Sequence, residues 1–344
     1  MTPAAPITIK DIARQFNCSP STVSRALNDH YAVSEDTRRS IQQYAQQAGY
    51  QRNLVSLSLL NKLSGVLGII VPTISDSYES SVIEGLHTVL QPLGYSLTIC
   101  VTGESRALEA EHVLRLLANR VEGIFLSLAQ ETYDSARYDH LTMVLQRQIP
   151  LVLIDRDYAG LPVSRVTADD YHGAWAVVEH LIQMGCRRIA HLRGPAGLTV
   201  SEQRFAGYVD CLTHYGLPRC DELILPTNFQ IDSAIEPTRC LLDRAERPDA
   251  IFGVNDQVAI GAMRVLTERG LRIPDEVAVA GFDNAPMAAY TNPSLTTVAR
   301  PGREISSEAA RLFLRHKQTP DLAPVESVIL PAQLIVRESS RRVG

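Results

Sequence analysis

The sequence predicts an α/β protein in two parts. An N-terminal three-helix headpiece of helix-turn-helix type leads through a hinge helix into a larger core of two lobes, each built on a parallel sheet. Three observations predict this. Residues 8–28, TIKDIARQFNCSPSTVSRALN, hold two short helical patterns around a tight turn. From Gly65 onward, apolar runs of strand length alternate with segments of helix length, and the series occurs in two blocks. Charge divides the same way: residues 1–62 hold seven Lys/Arg and four Asp/Glu, a net of +3, so the remainder of a chain of net −5 carries −8. The expected boundaries are 1–52 for the headpiece, 53–63 for the hinge and 64–344 for the core.

In the first helix Ile9, Ile12, Ala13 and Phe16 form one apolar face, Thr8 stands as its N-cap, and Asp11 lies in its first turn. Asn17 and Cys18 make the turn. Ser19 caps a second helix with Pro20 at its first position, where a missing N–H costs nothing. Val23, Ala26 and Leu27 face inward. Ser21, Thr22, Ser24, Arg25 and Asn28 stay outside: short donors, one arginine and no acid, a face suited to a major groove or, alternatively, to an ordinary helical hairpin. A third helix spans 34–48, capped by Ser34 and ended by Gly49. The leucines of NLVSLSLLNKL (53–63) fit a short helix, marginal alone in water and therefore in need of a partner, or else the first core helix of the next domain.

The core pattern predicts strands at 65–71, 95–101, 123–127 and 151–155, with helices near 77–91, 106–119 and 136–147 between them. A second block places strands at 187–192, 223–225, 250–254 and 277–282, with helices near 201–215, 232–245 and 257–269. Beyond 282 the pattern is irregular: TTV (296–298), a helix near 303–316, then VILP and LIV, pieces expected to complete or cross between the sheets.

The longest apolar run, Gly65–Pro72, is too short for a membrane span, and no basic-then-apolar leader opens the chain, so a cytoplasmic protein is expected. The six cysteines are scattered without a CxxC pair and read as buried apolar residues in a reducing compartment. No phosphate-cradling glycine loop, nucleophile elbow or metal-spaced His/Cys cluster occurs, so neither enzyme nor cofactor is expected.

In this order, the headpiece, the leucine-bearing hinge and the double α/β core resemble the LacI/GalR family of bacterial transcriptional regulators. The resemblance rests on TIKDIARQFNCSPSTVSRALN, SEDTRRSIQQYAQQAGY, GIIVP, DDYHG (169–173), HLIQMGCRRIAHLRGP (180–195), QRFAGY (203–208), residues 250–284, PSLTTV and LIVRES, and it covers essentially the whole chain. It implies a periplasmic-binding-protein-like core and a homodimer that binds a double-stranded DNA operator and is switched by a small effector, a sugar or related metabolite. No leucine-heptad helix follows LIVRES, so a dimer rather than a tetramer is expected. The alternatives are a sugar-binding protein or a sugar-processing enzyme on the same two-lobed core.

The resemblance also implies sites. Base-reading positions fall on Pro20, Ser21 and Arg25, with Arg25 the candidate for a guanine. Ser19, Thr22, Ser24, Asn28 and Ser34 are the expected phosphate contacts, although Thr22 serves equally well as a helix-cap partner. Thr8, Tyr50 and Asn53 complete the DNA-facing set, and Leu59 matches a leucine wedged into the minor groove. Arg52 and Leu57 depart from the family pattern. Effector candidates are Asp76, Tyr78, Glu79, Asp155, Arg156, Asp169, Arg204, Phe229, Asn255 and Asp283, most of them at the carboxyl ends of strands. Glu79 argues against an acidic effector and for a neutral or amine-bearing one. Asp256 is expected to cap the helix after it, and Trp175 to belong to the core.

Overall fold

The computed structural model describes residues 7–50, 64–319 and 324–341, and the chain divides into two compact units, Met1–Ser64 and Gly65–Gly344. The hinge expected at 53–63, with Asn53 and Leu59, lies outside the described residues.

In the first unit, α1 (Ile9–Gln15), α2 (Pro20–Leu27) and α3 (Glu35–Gln47) close around Ile12, Ala13, Val23, Ala26, Val33, Ile41 and Ala45. Local chemistry sets each boundary. Thr8 and Asp11 form a capping box, the Thr8 N–H donating to Asp11 Oδ2 at 2.9 Å. Ser19 Oγ accepts from Thr22 N at 3.1 Å, with Pro20 in the first turn. Asn17 takes φ 47° in the turn. Ser34 precedes α3, but its hydroxyl donates to Thr37 Oγ1 rather than capping a backbone N–H. Gln42 ties α3 to the end of α2 through the Ala26 carbonyl at 3.0 Å.

In the second unit, one sheet has the order β11-β5-β4-β3-β1-β2. Its strands are β1 (Val66–Val71), β2 (Ser96–Val101), β3 (Ile124–Leu126), β4 (Leu151–Ile154), β5 (Ser164–Ala168) and β11 (Ser327–Leu330), all parallel. The second sheet, β7-β6-β8-β9, consists of β6 (Ile189–Arg193), β7 (Ile224–Pro226), β8 (Ala250–Gly253) and β9 (Ala278–Ala280), again parallel. An antiparallel pair, β10 (Thr297–Ala299) with β12 (Gln333–Ile335), joins the second lobe. Helices α4 (Ser77–Leu90), α5 (Arg106–Ala118), α6 (Gln130–Ser135) and α7 (Asp139–Gln146) belong to the first lobe. Helices α8 (Asp170–Gln183), α9 (Thr199–His214), α10 (Ile235–Leu242) and α11 (Asp256–Glu268) belong to the second. Helix α12 (Gly302–Gln318) returns to pack on α4. The chain thus passes between lobes three times, after β5, β10 and β11.

Three differences from the sequence pattern have physical causes. The helix expected at 136–147 is α7, which starts only at Asp139 because Ala136 turns left-handed at φ 49° and ends a separate short helix, α6, just before it. The segment at 232–245 opens as a 3-10 turn, Ile231–Ala234, before α10. Strand β5 is missing from the sequence pattern because SRVTA is half polar, and α8, the helix whose apolar face carries Trp175, has no bounds there because it opens on DDYHG. Trp175 is half-buried against the second-lobe core.

Helices α8 and α9 approach so closely that a Cβ at Gly207 would lie 2.3 Å from the Tyr171 carbonyl oxygen. Because the obstacle is backbone, Gly207→Ala should destabilise the core by about 1–3 kcal/mol, read as a lowered urea midpoint; an unchanged midpoint would show that the helices separate freely.

Candidate functional site

The first unit presents α2 outward. Ser19, Pro20, Ser21, Arg25 and Asn28 are exposed, Thr22 and Ser24 half-exposed, and the helix has no acid in its first turn. Thr22 Oγ1 lies 2.9 Å from Ser19 Oγ, so its hydroxyl serves the cap. Thr8 and Ser34 are exposed at the starts of α1 and α3, while Tyr50 packs against the small core.

In the second unit the expected residues converge where strands end. Asp76 caps α4, accepting from Tyr78 N at 2.7 Å, and this turn buries Tyr78 and Glu79. Asp155, at φ 61°, and Arg156 follow β4. Asp283, at φ 105°, follows β9. Arg204, on α9, is 2 % exposed, and its donors reach Asp170 Oδ1 at 2.7 Å, the Val254 carbonyl at 2.7 Å and Asp283 Oδ1 at 3.4 Å, with Phe282 beneath the guanidinium at 3.8 Å. Arg156 is held by both Glu104 oxygens at 2.7 and 2.9 Å and lies 5.7 Å from the Phe229 ring, so it reaches across to the second lobe. Asn255 donates to the Phe229 carbonyl at 3.0 Å.

Asp169 stands apart from this cluster. Its carboxylate caps α8 by accepting from His172 N at 3.0 Å and lies beside the His172 ring; the neighbouring Asp170 is the one that turns inward to Arg204. Asp256 does not cap α11, contrary to expectation. Asn255 is the N-cap, accepting from Val258 N at 2.9 Å. Asp256 is the first helical residue, buried, and accepts from Ala285 N at 2.6 Å and the Thr297 hydroxyl at 2.5 Å.

Sequence reasoning passed over Arg300, Asp170, Ser201 and Glu104. Arg300 pairs with Asp155 and Asp283, and its guanidinium carbon stands 3.2 Å from the Tyr78 ring centroid. Its one signal was position: a charged residue two places after the strand-like TTV. Ser201, fully buried, faces Gly194 after β6. Around these groups the Tyr78 hydroxyl, Glu79 Oε2 and Ser201 Oγ are buried without hydrogen-bond partners.

Burial dominates the electrostatics. It pushes Glu79 up to about 8, aided by Asp155 and opposed by Arg156 and Arg300. It lifts Asp283 to about 6 against the pull of Arg300 and Arg204. Asp256 rises to about 8 by burial and the nearby Asp283. Asp170 is raised by burial, with Arg204 opposing. Such a set has the donors and acceptors to hold a polar molecule, and among the described residues no group of His, Cys, Asp and Glu could hold a metal ion.

Residues 8–53 match the profile of the bacterial regulatory proteins of the lacI family, and residues 178–340 that of the periplasmic binding protein-like domain. The ribose operon repressor of Halalkalibacterium halodurans is 32 % identical, over 97 % of each chain. The chain belongs to the LacI family. It is therefore a DNA-binding transcriptional regulator and not an enzyme. Among solved structures, the lac repressor dimer bound to operator and the anti-inducer ONPF has a TM-score of 0.85 at 25 % identity, covering 98 % of this chain and 99 % of that one. The transcriptional regulator CelR in its cellobiose complex has a TM-score of 0.72 at 26 % identity, covering 97 % and 99 %. No described helix of the regulator is long and apolar enough to cross a membrane.

The raised carboxyls carry a pH consequence. The folded chain keeps a proton on Glu79 up to about pH 8 that the unfolded chain loses in the ordinary carboxylate range. Its contribution is therefore full at acid pH and lost as pH rises through about 8. The thermal midpoint should fall across that window, and Glu79→Gln, a permanently neutral analogue, should flatten the fall; an equally steep profile in the variant would show Glu79 ionised in the fold.

Proposed function

We infer that the regulator is a cytoplasmic homodimeric repressor whose headpieces bind an operator and whose core takes a sugar or related hydroxyl-bearing metabolite between its lobes. The observation that carries the effector reading is the set of buried, unpartnered polar atoms of Tyr78, Glu79 and Ser201 gathered at strand ends with Arg204 and Asp283. Polar groups buried in this way are costly unless a ligand satisfies them. The relatives named for ribose and cellobiose agree with a carbohydrate. Asp76, Asp155, Arg156, Phe229 and Asn255 complete the proposed cleft, with Asp169 at its margin.

Arg25 is the proposed base reader, with Pro20 and Ser21 beside it; Thr8, Ser19, Thr22, Ser24, Asn28, Ser34, Tyr50 and Asn53 position the backbone, and Leu59 forms the minor-groove wedge. The proposed dimer face is the free edge of the first sheet. Strand β2 and the adjoining α5 expose Ile99, Val101, Leu108 and Leu114, an apolar sheet edge of the kind that soluble monomers avoid.

Selection of binding sites from random duplexes, followed by a thermal-shift screen of sugars, tests both halves. Arg25→Ala should weaken operator binding by about 1–3 kcal/mol and relax one base position; equal losses on operator and random DNA would make Arg25 a phosphate contact. Asp283→Ala should abolish the effector response while the headpiece stays folded, and unchanged effector affinity in that variant would move the pocket elsewhere.

A further inference from the structure

Arg300 departs from the other arginines of the cleft. Its guanidinium stands over Tyr78, and one terminal nitrogen donates to Asp155 Oδ1. Its Nε lies 2.9 Å from Asp283 Oδ1 yet lacks hydrogen-bond geometry and is left unsatisfied. The side chains of Arg300, Asp155 and Asp283 are only 6–7 % exposed. Tyr78 and Asp155 belong to the first lobe and Asp283 to the second, so one buried cation bridges the two.

Two features mark this bridge as an occupant of the cleft rather than a fixed strut. Its pairing is incomplete, whereas Arg204 is held by Asp170, the Val254 carbonyl and Asp283, and Arg156 by both oxygens of Glu104 and the Leu128 carbonyl. It also sits between β10 and α12, on a segment that crosses between the lobes, so withdrawing its side chain breaks no strand. The unpartnered Tyr78 hydroxyl and Glu79 Oε2 belong to the same cluster.

We propose that Arg300 is a resident surrogate ligand, joining Asp155 to Asp283 when the cleft is empty, and that the effector displaces it and is therefore a non-anionic, hydroxyl- or amine-bearing molecule. The ligand class follows from charge. Asp155, Asp170 and Asp283 face Arg204 and Arg300, Glu104 neutralises Arg156, and Asp76 lies close enough to act on Glu79 and Asp283, so carboxylates outnumber cations in the cluster. A neutral polyol or an amine supplies donors to Asp155 and Asp283 in place of the guanidinium. An anion would draw Arg300 away and leave two buried carboxylates facing a third charge. The proposal rests on the effector reading of the cleft.

The test uses the full chain, with Arg300→Ala, Arg300→Gln and Arg300→Lys. Arg300→Ala should lower the thermal midpoint, and low-millimolar guanidinium chloride should restore most of the loss, while sodium chloride at equal ionic strength does not and wild type gains nothing. Matched neutral, amine and acid forms of pentoses and hexoses form the second arm. The neutral or amine forms should stabilise wild type, and Arg300→Gln, which removes the competitor, should bind them on the order of tenfold more tightly. A strut whose loss merely loosens the cleft would leave that affinity unchanged or weaker. Arg300→Lys, whose single ammonium cannot fork between the two carboxylates, should fall between. No guanidinium rescue in a folded Arg300→Ala or Arg300→Gln protein overturns the surrogate role, and preferential stabilisation of wild type by the acid forms overturns the ligand class. Sugars that shift no protein refute the effector reading itself, and the guanidinium arm still decides whether Arg300 is replaceable.

Discussion

A carboxylate withdrawn from water needs compensating charge, and Asp283 draws that charge from two directions. Arg204 comes from within the second lobe and is fixed by Asp170, the Val254 carbonyl and the face of Phe282. Arg300 comes from the crossing segment and carries the same charge network over to Asp155 in the first lobe. Ions buried this deeply gain little net stability over apolar packing, but removing one partner is costly, about 3–5 kcal/mol. The network therefore constrains geometry more than it contributes stability. Asp283 keeps Arg204 from its own lobe, whereas the pairing of Asp155 with Arg300 is the one that ties the first lobe to this network.

That constraint reaches well beyond the cleft. Two residues after Arg300, Gly302 begins α12 so close to α4 that a Cβ there would meet Ser81 Oγ at 2.2 Å. One turn later the Ser306 hydroxyl donates to the Val82 carbonyl at 2.9 Å. Helix α4 is the element whose first turn carries Tyr78 and Glu79. The displacement of Arg300 proposed above would act two residues before this tightly packed helix pair, which is more readily shifted as a body than deformed. The size of any allosteric effect is bounded by the difference between the ligand's contacts and those of Arg300, because a ligand shifts an equilibrium only by its differential affinity for the two states.

The sequence was informative where local chemistry decides and silent where long-range pairing does. Thr8, Ser19 and Pro20 announced their helix starts because caps are short-range devices, and the apolar runs GVLGIIV and AIFGV announced buried parallel strands. Strand β5 was hidden because it alternates buried and half-buried residues. Asp256 was misassigned because Asn255, one residue earlier, also caps; what holds Asp256 is Thr297, forty-one positions on. Arg300 looked like an ordinary surface charge because its partners, Asp155 and Tyr78, lie far back in the chain. Asp170 was one position from the residue chosen in the DDYHG motif, and only the fold shows which of the two aspartates turns inward.

The division of charge then explains why control sits in the core. The N-terminal part carries only +3 and offers one arginine on the exposed face of α2, and a single bidentate base contact discriminates by about 1–3 kcal/mol. In the proposed homodimer two such contacts add, so the free energy that selects an operator is shared between two headpieces. A core of net −8 adds no attraction to a polyanion. Within the core, the buried pairs of Asp155, Asp283, Arg204 and Arg300 join the two lobes, so they are where a small polar molecule can act most strongly on how the lobes sit.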